Sequence, residues 1–442
     1  MNTTRRKFIR NSMTVTAGAT LANSFAFETL ARGKKMGANE KINVGVIGCR
    51  NQGFSMLKHF MDQPEAECIA LCDVDKNVLH QRAADVEKVQ GKKPALYDDF
   101  RKLLENKDID AVVIGTPDHW HCLITVAACQ AGKDIYVEKP MANSIEECNL
   151  MVAATRKYNR IVQVGQQQRS GVHWRKIMDL LNSKEMGKLR KIKVWGNFNY
   201  GVGQPIVPDE PVPSGVNFDM WLGPAPNRSF NKARYHGSWR MFWDYGGGLL
   251  SDWGVHLMDM ALWVKSTTKP PKSVMAAGGN FSFPDNAHET PDTISVIWEM
   301  DDDYCLTWDH TAGTQNGPYD KPYGIAFTAD NGTIIANRES WELKAEWRDD
   351  KLAMKSVEEQ EGKNYHEEHV KNFLACIKSG KDLNCPVETG RAAAMYAHLG
   401  NIACRTGTRV VYDAEKNIMI DNPAAEKMRV PQYRLPWELP KI

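Results

Sequence analysis

The stretch Lys41–Asp75, KINVGVIGCRNQGFSMLKHFMDQPEAECIALCDVD, decides the fold of this chain. Its first apolar run, Ile42–Ile47, is rich in β-branched residues and predicts a buried strand. A glycine-bearing turn at Gly48–Gly53 is followed by apolar residues at helical spacing, and a second predicted strand, Cys68–Cys72, ends on Asp73. Such a unit is typical of a dinucleotide site, because amides at the helix start face a pyrophosphate and an acid about 20 residues later takes the ribose hydroxyls.

The glycine turn departs from the usual G-x-G-x-x-G spacing at its middle place, where this chain has Arg50. A bulky residue there hinders close approach of the backbone to the phosphates, although the guanidinium itself can contact a pyrophosphate. The alternative is a βαβ unit with an ordinary glycine turn and no nucleotide. Asp73 at the expected distance favours the cofactor, and because Asp73 and Asp75 would repel a 2′-phosphate, NAD is favoured over NADP.

The whole chain sets broad limits on function. Its 442 residues suffice for two domains, and 56 basic against 54 acidic residues give a net charge of +2, which offers no electrostatic case for nucleic acid. No apolar run reaches the roughly 18 residues that a membrane helix needs. The ten cysteines form no C-x-x-C pair, so we interpret them as small buried side chains, not as disulfides or a metal site.

The N-terminus carries the twin-arginine sequence TRRKFIR at Thr4–Arg10, followed by the mildly apolar Met13–Phe27. This layout predicts a Tat-type export signal over residues 1 to about 26, within a signal and linker at 1–33, and hence a periplasmic protein. The alternative is a basic, disordered N-terminus on a cytoplasmic protein. A chain that folds in the reducing cytosol before export would carry unpaired cysteines such as these.

Beyond Asp73, predicted strands alternate with predicted helices up to residue 164. The strands are expected at Ile109–Gly115, Asp134–Val137 and Arg160–Val164, and the helices at Lys76–Lys93, Tyr97–Leu104, Leu123–Ala131 and Ile145–Tyr158. This alternation predicts an α/β Rossmann domain at 40–164 with a doubly wound parallel sheet. Ligands bind at the carboxyl ends of such strands, so the motifs there should share one crevice: Gly48–Gly53, Asp73, Thr116–His121 and Glu138–Pro140.

From residue 165 to about 410 the pattern changes to strands separated by turns. They are predicted at Arg190–Asn199, Lys272–Phe283, Thr293–Met300, Tyr304–Thr311, Tyr323–Ala329 and Gly332–Asn337. They indicate an α+β domain with an open, mostly antiparallel sheet. The remaining residues, 411–442, form a predicted tail whose proline-containing end, Arg429–Ile442, is expected to be an extended strap.

The segment Ser251–Lys265 predicts an apolar helix with Ser251 or Asp252 as its N-cap. Asp252, His256 and Asp259 have the spacing i, i+4, i+7 and should share one stripe. Buried acids need partners or a function, whereas a lone histidine is usually a hydrogen-bonded core residue. The two acids on the same stripe, Asp252 and Asp259, favour a functional role for His256.

Oxidation of a secondary alcohol by NAD needs a base for the hydroxyl proton. His256 suits this role because its unperturbed pKa lies near neutral pH, and Asp252 one turn earlier is expected to orient the imidazole. Lys139, at a strand end, would polarise the substrate oxygen and help to relay the proton. Outside the Glu138-Lys139-Pro140 motif, a lysine such as Lys139 would be interpreted as a surface lysine before a proline.

Over roughly residues 40–410 the chain resembles the Gfo/Idh/MocA oxidoreductase family. The matching residues are the Gly48–Gly53 turn, Thr116-Pro117 with His121, Glu138-Lys139-Pro140, and Gly248-x3-Asp252-x-Gly254-x-His256-x2-Asp259. The resemblance implies catalytic roles for Lys139, Asp252 and His256, contacts of Glu138 and Lys139 with the nicotinamide ribose, and a homo-oligomer formed through the second domain. The predicted NAD-binding residues are Gly48, Arg50, Asn51, Gln52, Gly53, Asp73, Thr116, Pro117, Trp120, His121, Glu138, Lys139 and Gln168.

The substrate is expected between the domains, near Gln166–Arg169 and the aromatic run Trp239–Tyr245. Aromatic faces with interleaved polar groups suit sugar rings, although an aromatic core cluster is the equal alternative. The predicted substrate-binding residues are Arg169, Arg240, Trp243, Asp252 and His256. With no phosphate-binding cluster in view, a neutral sugar, glycoside or cyclitol is favoured over a sugar phosphate.

Two further histidine motifs are assigned to structure. His366-Glu367-x-His369 is not a zinc-binding H-E-x-x-H sequence and is expected to begin a solvated helix. His398, on the predicted helix Glu388–Thr406, is expected to pack.

The sequence thus favours an NAD-dependent oxidoreductase acting on a sugar hydroxyl. Free NAD is not expected outside the cytosol, so the cofactor should stay bound and be regenerated by a second substrate. A redox-neutral, NAD-dependent glycosidase of the same family is the alternative, and Lys139 counts against it because that branch commonly lacks this lysine. A non-catalytic exported binding protein is disfavoured by the joint presence of Lys139, Asp252 and His256.

Overall fold

The computed structural model describes residues 41–301, 304–380 and 382–442. The predicted export signal at 1–33 lies outside the described residues. None of the helices in these three ranges is long and apolar enough to cross a membrane.

The first sheet has six parallel strands in the order β3-β2-β1-β4-β5-β6. The strands are β1 (Ile42–Ile47), β2 (Ala66–Cys72), β3 (Ala95–Tyr97), β4 (Ala111–Ile114), β5 (Asp134–Val137) and β6 (Val162–Val164). The strand order reverses between β1 and β4, so a crevice opens at their carboxyl ends, where ligands of such sheets bind. The predicted doubly wound Rossmann fold is confirmed.

Five helices connect these strands: α1 (Asn51–Met61), α2 (Lys76–Gln90), α3 (Phe100–Glu105), α4 (His121–Gln130) and α5 (Ile145–Lys157). The helix predicted from Tyr97 was wrong at its start, because Tyr97 ends the edge strand β3. The helix begins at Phe100, where the Asp99 carboxylate caps it by accepting from the Arg101 amide at 2.9 Å.

The second sheet has eight strands in the order β18-β15-β14-β13-β7-β12-β11-β9, and β7–β12 is its parallel pair. The strands and short ladders of this half are β7 (Leu189–Gly196), β8 (Gln204–Pro205), β9 (Ser273–Gly279), β10 (Asn286–Ala287), β11 (Thr293–Glu299), β12 (Cys305–Thr311), β13 (Tyr323–Ala329), β14 (Gly332–Ala336), β15 (Ser340–Ala345), β16 (Trp347–Arg348), β17 (Lys351–Leu352), β18 (Val357–Glu361), β19 (Tyr412–Asp413) and β20 (Ile418–Met419). The mostly antiparallel sheet is confirmed. Strands β15 and β18 were not predicted from the sequence. For β18 the reason is that it is an edge strand that is almost wholly polar and exposed.

The remaining helices are α6 (Val172–Leu181), α7 (Phe218–Leu222), α8 (Val255–Trp263), α9 (His366–Ser379), α10 (Val387–Thr406) and α11 (Pro423–Arg429). One face of the second sheet packs against α8 and α10, with Trp298 and Trp308 fully buried between them. Helix α9 returns to the first sheet, where Phe373 contacts Phe60 of α1 edge-on. Helix α10 contributes to both cores, so the two sheets are joined by helices that follow the second one in sequence.

A π-helical turn, Leu250–Gly254, precedes α8. Ser251 and Asp252 lie inside this turn, so the prediction that either one caps the helix is wrong. A π turn is wider than an α turn and shifts the residues that precede it around the axis. The single stripe expected for Asp252, His256 and Asp259 therefore splits, as the contacts of the three side chains show.

Candidate active site

The glycine turn after β1 is fixed by close backbone packing. Gly48 has φ +82°, and a Cβ on Gly53 would lie 1.8 Å from the Gly48 carbonyl oxygen, so only glycine fits there. The Asp73 carboxylate accepts hydrogen bonds from the amides of Cys49 at 2.7 Å and Asp75 at 2.9 Å. Burial raises the pKa of Asp73, while these two amides oppose the shift. The turn and the end of β2 thus form one unit.

A cleft runs along the carboxyl ends of the strands of the first sheet. Ten of the predicted cofactor residues line it: Gly48, Arg50, Asn51, Gln52, Asp73, Thr116, Pro117, Trp120, Glu138 and Lys139. Arg240 of the predicted substrate set lines the same cleft. Sequence reasoning missed several lining residues that only tertiary contacts bring here, including Asp98, Phe100, Met220, Trp221 and His236.

The cleft residues fit a dinucleotide. The tightly packed glycine turn keeps side chains away from the backbone amides at the start of α1, and the half-buried Asp73 carboxylate faces the same cleft. The Thr116 hydroxyl is buried with no hydrogen-bond partner among the described residues, so it is available to hydrogen-bond a ligand. Arg50, exposed at the N-cap of α1, is free to approach a pyrophosphate.

Three predicted cofactor residues have other positions. Gly53 lies beneath the turn, as its contact with Gly48 requires. His121 is buried with Nδ1 2.8 Å from the Pro140 oxygen and Nε2 2.9 Å from the Thr116 oxygen, and burial lowers its pKa to about 4. It therefore joins the two loops that carry the motifs. Gln168 is buried in a short 3₁₀ turn and is not among the cleft-lining residues.

Lys139 of the first domain meets Asp252 of the second. The Lys139 ammonium donates to Asp252 Oδ1 at 2.8 Å and to the Asp252 carbonyl at 2.9 Å. Arg240 Nε also donates to Oδ1, at 3.1 Å, and the Tyr200 hydroxyl donates to Oδ2 at 2.9 Å. Burial alone would raise the Asp252 pKa, but Lys139 and Arg240 outweigh it and hold that pKa well below its usual range.

The predicted role of Asp252 in orienting His256 is therefore wrong. Both carboxylate oxygens of Asp252 are taken by Lys139, Arg240 and Tyr200, and the described residues offer no hydrogen bond between Asp252 and His256. The aspartate holds the lysine instead.

His256 lies one turn later and is only 6% exposed. Its Nδ1 is buried without a hydrogen-bond partner within the described ranges, and its ring stands edge-on to Trp253 at 5.9 Å. Burial, followed by the charges of Arg338 and Lys139, lowers the pKa of His256 well below its usual value. The imidazole is therefore neutral at physiological pH and can accept a proton, but its lowered pKa makes it a weaker base than the near-neutral pKa expected from the sequence would.

Asp259 belongs to a different pair. Arg169 Nε lies 2.8 and 3.0 Å from the two Asp259 carboxylate oxygens, and the guanidinium covers the Trp263 ring at 5.0 Å. Burial raises the Asp259 pKa to about 6, although Arg169 opposes the shift. Trp243 likewise lies away from the cleft lining, with its ring under the Arg405 guanidinium at 4.6 Å. Of the predicted substrate residues, Arg240 lines the cleft and donates to Asp252, whereas Asp252, His256, Arg169 and Trp243 are not among the cleft-lining residues.

His366 begins helix α9, as predicted, but its side chain packs against the first domain and is not solvated. Its ring stacks on His59 at 5.4 Å, and its Nε2 lies 3.5 Å from Gln52 Nε2, which also donates to Glu138 Oε1 at 3.1 Å. Burial lowers the His366 pKa to about 3, followed by the effects of His59 and Arg338. The position follows from the return of α9 to the first sheet, a long-range contact without a local signal.

The other two histidines of these motifs are structural. His369 is buried between Ser170 and the Val164 carbonyl. His398 packs as predicted, with Nε2 3.0 Å from the Ala142 oxygen. Within the described part of the chain, no group of three or more His, Cys, Asp or Glu side chains is placed to hold a metal ion.

Comparison with known proteins agrees with this geometry. Residues 42–166 match the NAD-binding Rossmann fold of the Gfo/Idh/MocA oxidoreductase family, and residues 170–282 match that family's C-terminal α/β domain. The chain belongs to the Gfo/Idh/MocA oxidoreductase family, and its cofactor is NAD.

Among curated proteins, the chain is similar to an alpha-N-acetylgalactosaminidase from Shewanella oneidensis, with 32% identity over 163 residues. That match covers 33% of this chain and 36% of the relative, so the chain spans about a third of that protein's length.

Two solved structures share the fold. The WlbA dehydrogenase from Bordetella pertussis, solved with NADH and UDP-GlcNAcA, has a TM-score of 0.63 at 17% identity and covers 85% of this chain and 99% of its own. The aldose-aldose oxidoreductase from Caulobacter crescentus, solved with glycerol, has a TM-score of 0.63 at 19% identity and covers 84% of this chain and all of its own.

Proposed function

We propose that this protein is an oxidoreductase that moves a hydride between a secondary hydroxyl of a sugar, glycoside or cyclitol and a tightly held NAD. The observation that carries the proposal is the 2.8 Å contact between the Lys139 ammonium and the Asp252 carboxylate, with His256 on the next turn of the same helix. NAD, when bound, supplies the hydride acceptor. The protein supplies position, charge and a base.

Each of the three side chains has a separate task. Asp252 fixes the position of the Lys139 ammonium, so that it donates a hydrogen bond to the substrate oxygen and stabilises negative charge developing there. The neutral His256 imidazole accepts the hydroxyl proton. Glu138, held by Gln52 at 3.1 Å, would contact the nicotinamide ribose beside Lys139.

The preference for NAD over NADP rests on the acids that follow β2. Asp73 lines the cleft and Asp75 caps α2, so two carboxylates stand where a 2′-phosphate would lie. Retention of the cofactor is supported by the name of the aldose-aldose oxidoreductase, which implies that one sugar is oxidised as another is reduced.

A redox-neutral glycosidase is the second candidate, and its support is the identity with the alpha-N-acetylgalactosaminidase. That identity extends over only about a third of either chain, and Lys139 argues for net alcohol oxidation. The two reactions differ in product: a glycosidase releases aglycone without net NADH, whereas an oxidoreductase gives an oxidised sugar.

The test uses purified protein, whose bound nicotinamide is measured by absorbance before and after addition of glycosides and free sugars. Reduction of bound NAD by a sugar, and its reoxidation by a second sugar, is the expected result. Lys139→Ala should abolish turnover while NAD binding persists. Unchanged turnover in that variant, or aglycone release without reduction of NAD, would reject the oxidoreductase.

Export and oligomerisation are also proposals. Export is supported by the TRRKFIR sequence at Thr4–Arg10, and it is tested by fusion to a reporter that is active only in the periplasm. A homo-oligomer is suggested by the eight-stranded sheet of the second domain, and light scattering of the purified protein would measure its mass.

A further inference from the structure

Arg338 lies in the turn between β14 and β15, and sequence reasoning gave it no role. Its guanidinium carbon is 4.4 Å from the centroid of the Trp253 ring. Trp253 also contacts Phe198, Tyr323 and the edge of His256 at ring distances of 4.5, 5.2 and 5.9 Å. An aromatic platform on the second domain therefore holds this cation beside the proposed base.

The Arg338 guanidinium has no hydrogen bond or ion pair within residues 41–301, 304–380 and 382–442. The neighbouring Glu339 is not its partner, because both Glu339 oxygens accept from the Tyr323 hydroxyl at 2.7 and 2.6 Å. Asp252 is occupied by Lys139, Arg240 and Tyr200. A guanidinium presents five N–H donors in a planar fork, and leaving it half-buried without an acceptor is costly.

His256 also lacks a hydrogen-bond partner, since its Nδ1 is buried and unpaired among the described residues. Arg338 and Lys139 are the charged groups that act most strongly on the His256 imidazole. The Trp253 ring thus contacts both the His256 imidazole and the Arg338 guanidinium, and Trp253 directly follows Asp252, which holds the Lys139 ammonium. A ligand that satisfies all three must bring a hydroxyl for His256 and Lys139 and an anion for Arg338.

We propose that the substrate is a sugar acid, a uronate or a glycoside of one, whose carboxylate pairs with Arg338 while a ring hydroxyl lies against Lys139 and His256. The inference rests on the proposed function and narrows its substrate class. A carboxylate is favoured over a phosphate because a single planar fork with an aromatic ring behind it matches two coplanar oxygens.

The test measures binding and turnover separately. NAD-loaded protein is titrated calorimetrically with glucuronate, galacturonate and mannuronate and their methyl glycosides, each beside its neutral hexose counterpart and the hexose 6-phosphate. We expect at least one acid to bind about tenfold or more tightly than its neutral counterpart, as is typical of a hydrogen-bonded charge pair. Turnover of the same compounds is then followed as NADH formation.

The variants separate recognition from packing. Arg338→Gln should abolish the preference for the acid while leaving affinity for the neutral sugar unchanged. Arg338→Lys keeps the positive charge but loses the planar guanidinium, so it should retain part of the preference for the acid. This variant replaces Arg338→Gln in the test if the glutamine variant does not fold. Arg405→Gln is the matched control, because Arg405 also stacks on a tryptophan, Trp243, but away from the cleft lining, and it should leave the preference unchanged.

The outcomes are distinct. Neutral sugars that bind as tightly as every acid, binding of none of the acids, or an acid preference that survives Arg338→Gln would each overturn the inference. Tighter binding of a 6-phosphate would make phosphate the anion and overturn the carboxylate. Acid-selective binding without NADH formation would sustain the inference and reject the proposed oxidoreductase. Turnover of neutral sugars alone would sustain the proposed oxidoreductase and reject the inference.

Discussion

At the scale of single residues, the site depends on one carboxylate shared by two cations. Asp252 accepts from both Lys139 and Arg240, and the three side chains are only 10 to 25% exposed. Removal of one member of such a group leaves the others buried and unpaired, which costs more than the pair itself contributes. Asp252 therefore joins the two domains through Lys139, the same contact on which the proposed function rests.

The first prediction compares two aspartates in this region of the chain. Asp252→Asn should lower kcat by about a hundredfold or more, because Lys139 loses its fixed position, with NAD affinity little changed. Asp259→Asn is the matched variant, since it breaks the buried pair with Arg169 and should lower the free energy of unfolding by about 3 kcal/mol while kcat is kept. Steady-state kinetics and urea unfolding of both variants test this, and equal losses of kcat would contradict it.

The second prediction concerns Gly53. Gly53→Ala would force a Cβ against the Gly48 oxygen, so the turn must open, and NAD affinity should fall by at least about a hundredfold. Gly237→Ala is the control, because a Cβ there meets no atom within 4 Å, and its NAD affinity should be that of the wild type. Fluorescence titration with NAD measures both, and tight binding by Gly53→Ala would disprove the assigned turn.

At the scale of elements, helix α10 belongs to both cores and carries His398, which is buried against the Ala142 carbonyl. Burial lowers the His398 pKa from 6.5 to about 4. The unfolded chain therefore binds a proton more tightly than the folded one. The stability that this neutral histidine contributes is complete above about pH 6.5 and is lost as the pH falls through about 4.

The third prediction follows from that sign. Between about pH 7.5 and pH 4.5, the wild type should lose about 2 to 3 kcal/mol more unfolding free energy than His398→Gln, because glutamine does not titrate. Urea unfolding at the two pH values measures the difference. His80→Gln, at an exposed position of α2, should behave as the wild type, and an identical loss in wild type and His398→Gln would refute the assignment.

The π turn before α8 is the element that the sequence pattern misrepresents. Regular helical spacing places Asp252, His256 and Asp259 on one stripe, but the wider turn directs Asp252 to Lys139 and leaves Asp259 with Arg169. No residue in Leu250–Gly254 marks such a turn, because packing of the helix against both domains decides it. The helical spacing therefore predicted one shared stripe where the structure has two separate pairs, Asp252 with Lys139 and Asp259 with Arg169.

At the scale of the whole molecule, the C-terminal strap (residues 430–442) is extended and also packs on the first domain. Trp437 stands edge-on to Trp120 at 4.9 Å, and Arg434 donates to Asp219 at 2.7 Å. Trp120 in turn lines the cleft and donates to the Trp221 carbonyl at 3.1 Å. The strap thus supports one wall of the cofactor cleft from behind.

The fourth prediction tests this support. Trp437→Ala should weaken NAD binding by about tenfold and lower Tm by several degrees, because Trp120 loses its packing partner, while kcat at saturating NAD is kept. Leu435→Ala, at a residue that is 77% exposed, should change neither quantity. Wild-type NAD affinity in Trp437→Ala would show that the strap has no part in the cleft.

The sequence by itself determined the parallel sheet and the cofactor, and it singled out Lys139, Asp252 and His256 as candidates, because strand periodicity, glycine spacing and the motifs at strand ends are local properties of the chain. Only the tertiary structure decided that Asp252 holds Lys139 and that Arg169 pairs with Asp259. It also decided that His366 lies beside Gln52, that Arg338 stacks on Trp253, and that the strap packs on Trp120. These contacts join residues more than fifty positions apart, and no local pattern encodes them. Folding also set the charges: burial is the main cause of the lowered His256 pKa, whereas Lys139 and Arg240 keep Asp252 anionic against the effect of burial.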